Sequence, residues 1–352
     1  MLIRKTSVKD LLNVNRIIFD CDGVLVESKN SYDLAIRETL RYIFKPLNFE
    51  EISLKELENL RLTGLYNIEW DTTFALAIFV FSQLTKKQAK AILEYLGGKE
   101  FINKVEELDN SGIARAFNEF VKGLKKDPVG DVEEYARRLC SKKNTVKELG
   151  ELVRILGKPN EPNKSYLVKL FDSLYYGNSL YTKVYGTRPP LNLSRGFIEN
   201  EKLLVNEDTL KDLKELFGTK FYILTGRSRI GVEHVLIDLK DFFDFDHSIF
   251  IEDMVRTKPE EARDFKKPSP IPLLNLANNS NSLYVGDSAE DVIMSLKAKE
   301  MFQKLYFIGV TGNKANPKQM EEFLMSSGAD ALVDSVNDLV CIFKSIKRSD
   351  IF

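Results

Sequence analysis

Four short apolar runs, each followed at once by polar or glycine-containing residues, constrain the fold of this chain more than any other feature. They are residues 16–19, 220–224, 282–285 and 304–308. Runs of this length that are rich in Ile, Val, Phe and Tyr are typical of strands buried in a parallel sheet. Helical patterns separate the later runs, and a short strand and a last helix follow them. This alternation predicts a doubly wound, Rossmann-like α/β sheet.

Residues 29–199 have a different pattern, because eight segments in this stretch have helical spacing and none has the pattern of a strand. A passage rich in Gly, Pro and Asn, 177–196, leads back to the sheet. We therefore predict an α/β core formed by 1–28 and 200–352, with an all-helical domain, 29–199, inserted after its first strand. The apolar run 74–81 is predicted to be a buried helix, and a homodimer face is the alternative.

Charge and cysteine content exclude several classes of function. The chain has 51 Lys and Arg against 52 Asp and Glu, so no basic field indicates a nucleic-acid partner. No apolar run approaches the roughly 18 residues of a membrane span, and the first residues lack the apolar segment of a signal peptide. Three cysteines without metal-ligand spacing argue against a disulfide scaffold and a zinc module. We expect a cytoplasmic protein that binds neither nucleic acid nor a membrane.

Side chains that can do chemistry follow directly after the predicted strands. Ligands of an open α/β sheet bind beyond the carboxyl ends of its strands, so these segments are expected to share one site. The segments are 20–28, 225–228 and 286–291, with a lysine-containing segment, 266–270, between two helices. Carboxylates held close together repel one another, and a divalent cation such as Mg²⁺ removes this difficulty. Such a site has what phosphoryl transfer requires: an anionic nucleophile, cationic groups and donors for the phosphoryl oxygens.

In this order and strand context, the four segments resemble the four motifs of the haloacid dehalogenase-like (HAD) hydrolase superfamily. The resemblance implies that Asp20 is the nucleophile that forms an aspartyl-phosphate. It implies that Asp22 is the general acid and base and that its backbone carbonyl binds Mg²⁺. Thr225 and the Gly226 amide resemble the donors to the phosphoryl oxygens.

The third and fourth motifs supply a lysine and two further acids. Lys267 resembles the lysine that offsets the charges of the nucleophile and the phosphoryl group. We prefer Lys267 to Lys258, which also precedes a proline, because Lys267 comes just before the helix that leads to the third strand. Asp287 resembles the Mg²⁺-binding acid, and Asp291 the acid that orients metal-bound water or the lysine. The metal ligands implied for Mg²⁺ are Asp20, Asp22, Asp287 and Asp291.

A helical cap between the first and second motifs is the arrangement of the phosphoglycolate phosphatase-like branch, although this insertion is larger than usual. The resemblance implies a Mg²⁺-dependent phosphatase that acts on a small phosphorylated metabolite, similar to phosphoglycolate or a sugar phosphate. A phosphosugar mutase of the same branch is an alternative. A metabolite-binding protein without catalytic activity is a second alternative.

Other polar residues have two interpretations each. Asn67, Trp70 and Asp71 occur at the start of a predicted cap helix and are candidate substrate-binding residues. Alternatively, Asp71 and Thr72 cap that helix and Trp70 packs within the cap. Arg227 and Arg229 follow Thr225 and Gly226 and could steer anions, and exposed arginines after a strand are the alternative.

Overall fold

The computed structural model describes residues 2–3, 11, 13–50, 52–61, 68–98, 106–126, 132–314 and 316–349. The chain forms two compact units, one made of Met1–Ser28 and Asn200–Phe352 and the other of Lys29–Glu199. We call them the α/β unit and the helical unit. Within the described residues, no helix has the length and apolar character needed to cross a membrane.

A seven-stranded sheet forms the centre of the α/β unit. In chain order the strands of this unit are β1 (Leu2–Ile3), β2 (Arg16–Phe19), β3 (Val26–Glu27), β4 (Lys202–Leu203), β5 (Tyr222–Thr225), β6 (Ile249–Phe250), β7 (Ser282–Gly286), β8 (Leu305–Val310) and β9 (Ala331–Val333). The sheet has the order β1-β9-β8-β7-β2-β5-β6, and β3 pairs separately with β4. All neighbours in the sheet are parallel except β1 and β9. The predicted α/β fold class is confirmed.

The central strands are apolar because both faces of the sheet are covered. Every residue of β7 and β8 is buried. In β2, Ile17 and Phe19 belong to one hydrophobic cluster and Ile18 belongs to another, as alternation across a strand requires. The covering helices of this unit are α9 (Glu207–Phe217), α10 (Arg229–Val235), α11 (Ile251–Thr257), α12 (Pro259–Phe265), α13 (Ile271–Ala277), α14 (Ala289–Met301), α15 (Pro317–Ser327) and α16 (Leu339–Ser349).

The helical unit contains no strand among its described residues. Its helices are α1 (Lys29–Ile43), α2 (Leu54–Arg61), α3 (Glu69–Gln83), α4 (Lys86–Leu96), α5 (Asn110–Lys126), α6 (Val132–Lys142), α7 (Val146–Leu156) and α8 (Tyr166–Tyr185). The run 74–81 is buried within α3, as predicted for a core helix. Its apolar side chains therefore pack inside the protein and do not form an exposed face.

Helix α8 continues beyond the point where the sequence indicated a loop. Gly177 interrupts the helix with a φ of +66°, and helical structure resumes after it. A Cβ at this position would collide with the backbone of Arg195 and Gly196. Glycine is therefore needed both for the left-handed backbone and for the close approach. The assignment of residues from 177 onward to an irregular passage was wrong up to Tyr185.

The two connections to the helical unit leave the α/β unit side by side. Strand β3 ends one residue before the first connection, and β4 begins shortly after the second. The two strands are antiparallel, with Val26 opposite Leu203 and Glu27 opposite Lys202. The chain thus departs and returns at paired positions, as in the stem of a hairpin.

Candidate active site

Three polar side chains meet at the carboxyl edge of the central sheet. Asp20 directly follows β2, Thr225 is the last residue of β5, and Asp287 directly follows β7. Because β2 lies between β7 and β5, these strand ends are adjacent. All three residues are buried. The apolar strands thus place the side chains of the first, second and fourth motifs at one edge.

Lys267 joins two of the acids in this group. Its Nζ lies 2.9 Å from Asp20 Oδ1 and 2.8 Å from Asp291 Oδ1. Burial alone would lower the pKa of Lys267, but the two carboxylates raise it, so the side chain is held as a cation. Lys258, the alternative, is exposed and pairs with Glu261. The structure therefore places Lys267 in the site and Lys258 outside it.

Asp291 is fixed by five donors. Its Oδ1 accepts from Lys267 and, at 2.7 Å, from the hydroxyl of Tyr284. Its Oδ2 accepts from the hydroxyl of Ser288 at 2.7 Å and from the amides of Ser288 and Asp287 at 3.0 and 3.1 Å. Ser288 is the N-cap of α14 and forms a capping box with Asp291. This arrangement favours the orienting role implied for Asp291 over direct metal binding.

The acids form a cluster that suits a cation. Within the described part of the chain, Asp20, Asp287 and Asp291 each offer an oxygen atom, and these oxygens lie within 4.8 Å of one another. Burial raises the pKa of Asp20 although Lys267 beside it acts to lower it. Burial also raises the pKa of Asp287, against the effect of Lys314, which contacts its Oδ2. A hard divalent cation would offset these unfavourable charges, so the carboxylates of Asp20 and Asp287 fit Mg²⁺.

Gly23 allows Asp287 to lie close to the first motif. Its φ is +72°, a left-handed conformation that favours glycine. A Cβ on Gly23 would overlap the carboxylate of Asp287. The turn is closed by the amide of Gly23, which donates to the carbonyl of Val26 at 2.8 Å. Glycine after Asp22 is therefore required by the acid cluster as well as by the turn.

Asp22 is held by a buried arginine. Nη2 of Arg227 lies 2.7 Å from Asp22 Oδ1, and Nε lies 3.0 Å from the same oxygen. The other edge of the guanidinium binds Glu201, with Nη1 2.7 Å from Oε2. Burial would raise the pKa of Asp22, but the Arg227 guanidinium beside it lowers that pKa below its usual value. Arg227 is only 2% exposed, so its interpretation as an exposed loop arginine was wrong.

The second motif also has internal contacts. Thr225 is fully buried, and its Oγ1 accepts from the backbone amide of Arg227 at 3.2 Å. The carbonyl of Gly226 accepts from the amide of Glu252 at 3.1 Å. These bonds fix the backbone of the loop that follows β5. Thr225 and Gly226 are therefore held in place at the sheet edge before any ligand binds.

The three residues predicted in the helical unit have different outcomes. Asn67 lies outside the described residues. Trp70 is buried within its unit, and its indole N–H donates to Asp172 at 3.0 Å, which agrees with the packing alternative. Helix α3 begins with Ile68 as its N-cap and without a side-chain cap from that residue, so neither Asp71 nor Thr72 is the N-cap residue. Substrate binding by these residues stays a prediction.

Several polar residues of the site were not identified as such from the sequence. They are Glu201, Tyr284 and Lys314. Tyr284 occupies a strand position that apolar patterning assigns to the core. Glu201 and Lys314 lie in charged, turn-rich segments, where most such residues are exposed. The strand-end rule could have identified Lys314, since it follows β8, but it gives no signal for Glu201.

Comparisons with known proteins show the fold. No protein-family profile and no curated protein sequence matches the chain. A Northeast Structural Genomics Consortium target has 19% identity and a TM-score of 0.57, over 95% of this chain and 99% of that one. Phosphatase Tt82 from Thermococcus thioreducens has 19% identity and a TM-score of 0.51, over 88% of this chain and 98% of that one. A predicted phosphoglycolate phosphatase from Haemophilus somnus 129pt has 18% identity and a TM-score of 0.45, over 94% and 98%. The first two structures therefore share the fold of this chain, an open α/β sheet with the four segments described above at one edge.

Proposed function

We propose that the protein is a Mg²⁺-dependent phosphatase that hydrolyses a small phosphorylated metabolite through an aspartyl-phosphate on Asp20. The observation that carries this proposal is the meeting of Asp20, Lys267, Thr225 and Asp287 at one sheet edge. The resemblance to the phosphoglycolate phosphatase-like branch supports a substrate similar to phosphoglycolate or a sugar phosphate.

In the first step, a carboxylate oxygen of Asp20 attacks phosphorus and the bond to the leaving alcohol breaks. Asp20 Oδ1 accepts from Lys267 and, at 2.8 Å, from the amide of Cys21, so the plane of the carboxyl group is fixed before attack. The ammonium of Lys267 offsets the negative charge that gathers at the phosphoryl group. Thr225 and the Gly226 amide supply donors to its oxygens.

Mg²⁺ would be held by Asp20 and Asp287, with Asp22 contributing its backbone carbonyl and Asp291 orienting the surrounding groups. When bound, the cation neutralises charge on the carboxylates and on the phosphoryl oxygens. Without it, the acids carry the unfavourable burial described above. Lys314 contacts Asp287 and gives that acid a positive partner of its own.

In the second step, water attacks phosphorus and the bond between phosphorus and Asp20 breaks. Asp22 protonates the leaving alcohol in the first step and accepts the proton of water in the second, so one carboxyl group serves both halves of the reaction. Inorganic phosphate then leaves, and Asp20 returns to its initial state.

Release of phosphate from a panel of phosphorylated metabolites, with and without Mg²⁺, tests this proposal. We expect Mg²⁺-dependent release that Asp20→Asn abolishes, with no loss of thermal stability. Asp212→Asn is the matched control, because Asp212 is a surface acid paired with Lys344, and this variant should keep full activity. Activity above a few per cent of wild type in Asp20→Asn would rule out the nucleophile. Formation of a rearranged sugar phosphate with little free phosphate would instead indicate that the protein is a phosphosugar mutase.

A further inference from the structure

We propose that Arg227 is a positioning residue that holds the carboxylate of Asp22 for hydrolysis of the phosphoenzyme, and that Glu201 holds Arg227 in turn. This inference rests on the proposed function, because it assigns a task within the second half of that reaction. It concerns two residues, Arg227 and Glu201, to which the motif resemblance assigns no role.

The geometry is that of one planar cation between two carboxylates. On the Asp22 side, Nε and Nη2 of Arg227 lie 3.0 and 2.7 Å from Oδ1, and Nε lies 3.1 Å from Oδ2. On the Glu201 side, Nη1 lies 2.7 Å from Oε2 and Nη2 lies 3.0 Å from Oε1. Two edges of the guanidinium are therefore occupied, and its orientation is fixed from both sides.

Burial makes this arrangement unlike a surface ion pair. The side chains of Arg227 and Glu201 are 2% and 0% exposed, whereas that of Asp22 is 35% exposed. Glu201 and Arg227 are thus enclosed by protein, and Asp22 is the member of the set that can meet water or a ligand. A buried pair that ends on one accessible carboxylate is suited to orienting that carboxylate.

Arg227 also contacts Thr225, which belongs to the second motif. Its backbone amide donates to Thr225 Oγ1, so the residue that holds Asp22 also fixes the hydroxyl implied to bind the phosphoryl group. A guanidinium has only donors, so the Asp22 oxygens that face it serve as acceptors. The remaining acceptor positions of Asp22 then have a fixed direction, as a base that accepts a proton from water requires.

The step that needs this orientation is the hydrolysis of the aspartyl-phosphate. The bond between water oxygen and phosphorus forms, the bond between phosphorus and the Asp20 oxygen breaks, and a proton of water passes to the Asp22 carboxylate. The electron pair of the broken bond returns to Asp20. A misplaced acceptor slows this proton transfer, and a shift of about 1 Å in a reacting group can cost about 10²-fold in rate.

The test uses p-nitrophenyl phosphate and the full-length chain with Mg²⁺ in rapid-mixing experiments. Nitrophenolate is a good leaving group that needs no protonation, so formation of the phosphoenzyme on this substrate does not depend on Asp22. In Arg227→Met we expect formation to change less than a few-fold and hydrolysis to slow by about 10²-fold. The variant should release a burst of nearly one nitrophenolate per chain and should accumulate phosphate label on Asp20.

Matched variants separate positioning from folding. Arg229→Met removes an arginine two residues away that pairs with Glu233 and Asp246 on the surface, and it should behave as wild type. Arg227→Lys keeps a cation in the buried site but cannot form both edges of the fork. Glu201→Gln weakens the far side only. We expect both to slow hydrolysis in the same direction and by a smaller factor than Arg227→Met.

If Arg227→Met does not fold, Arg227→Lys and Glu201→Gln decide the question. Equal slowing of formation and hydrolysis, or turnover without a burst and without accumulated phosphoenzyme, would overturn the positioning role. Wild-type turnover that Asp20→Asn abolishes would keep the proposed function intact in that case. Wild-type turnover that persists in Asp20→Asn would overturn the proposed function and the inference together.

Discussion

The two units of this chain use buried carboxylates differently. In the α/β unit, Asp20 and Asp291 share the cation of Lys267 at a sheet edge, and Asp287 contacts Lys314. In the helical unit, buried Asp172 accepts from the indole of Trp70 at 3.0 Å and from the hydroxyl of Tyr185 at 2.6 Å. The first arrangement places several opposite charges close together at a buried position, as the proposed phosphoryl transfer would require. The second joins helices α3 and α8, which is a task of packing.

Removing the shared cation should have the largest effect on stability. Lys267→Met leaves Asp20 and Asp291 buried beside each other without the cation between them, and we expect a loss of about 3–5 kcal/mol in the free energy of unfolding. Urea titration followed by far-UV circular dichroism measures this. Lys258→Met, which removes an exposed lysine, is the control. A loss in Lys267→Met no larger than in the control would mean that Lys267 is not needed to stabilise the buried carboxylates of Asp20 and Asp291.

Addition of Mg²⁺ should stabilise one unit. At a concentration one hundred times its dissociation constant, a ligand of the folded state adds about 2.7 kcal/mol of stability. Hydrogen exchange should slow in segments 16–28 and 282–291 and remain unchanged in α3. Asp287→Asn should remove the effect. Equal slowing in both units, or slowing that persists in Asp287→Asn, would contradict a cation at this sheet edge.

Loss of the buried acid of the helical unit should cost less. Asp172→Leu leaves the donors of Trp70 and Tyr185 without this acceptor, which we expect to lower the free energy of unfolding by about 1–3 kcal/mol. Trp70 is the only tryptophan of the chain, so its fluorescence follows the helical unit selectively. Glu161→Gln, at an exposed acid of the same unit, is the control. An unchanged fluorescence transition would show that Asp172 does not support the packing of this unit.

The smallest effect should come from Asp253, a half-buried acid of the α/β unit that lies outside the cluster. Burial raises the pKa of Asp253 to about 6, and its Oδ2 accepts from the amide of Arg229. Because the folded-state pKa lies above the unfolded value, the folded chain binds this proton more tightly. The stability that the protonated group provides at low pH is therefore lost as pH rises from about 4 to above 6.

Asp253→Asn should remove this dependence and keep an acceptor for Arg229. We expect the variant to exceed wild type by about 1–2 kcal/mol at pH 7 and to match it near pH 4, as measured by urea unfolding at both values. Asp208→Asn, at a fully accessible acid, should show no such difference. A variant that is less stable than wild type at pH 7 would show that the charge of Asp253 benefits the start of α11.

The accuracy with which the sequence predicted each strand depended on the number of residues in that strand. Strands β2, β7 and β8 have four to six residues and were predicted to within two residues at each end. Strands β3, β4 and β6 have two residues each, which is too few for an apolar period to be visible. Their formation depends on neighbouring strands and not on local pattern.

The site divides in the same way. Asp20, Thr225 and Asp287 could be placed together because each follows or ends a strand, and parallel strands bring such residues to one edge. The contact of Arg227 with Glu201 joins positions that are 26 residues apart in the chain, and no sequence pattern indicates that these two side chains meet. Only the tertiary structure shows that this charged pair is buried.

The pairing of β3 with β4 has a consequence for how such a chain can be built. Nearly half of the residues lie between these two short strands. The strand before this long segment and the strand after it are nevertheless hydrogen-bonded neighbours. In the topology of the α/β unit, the whole intervening domain therefore takes the place of a short turn between two antiparallel strands. An element joined in this way can be lengthened, shortened or exchanged without shifting the strand ends that carry the chemistry. Because of this strand pair, the inserted domain can change in sequence and length while the residues at the sheet edge stay in place.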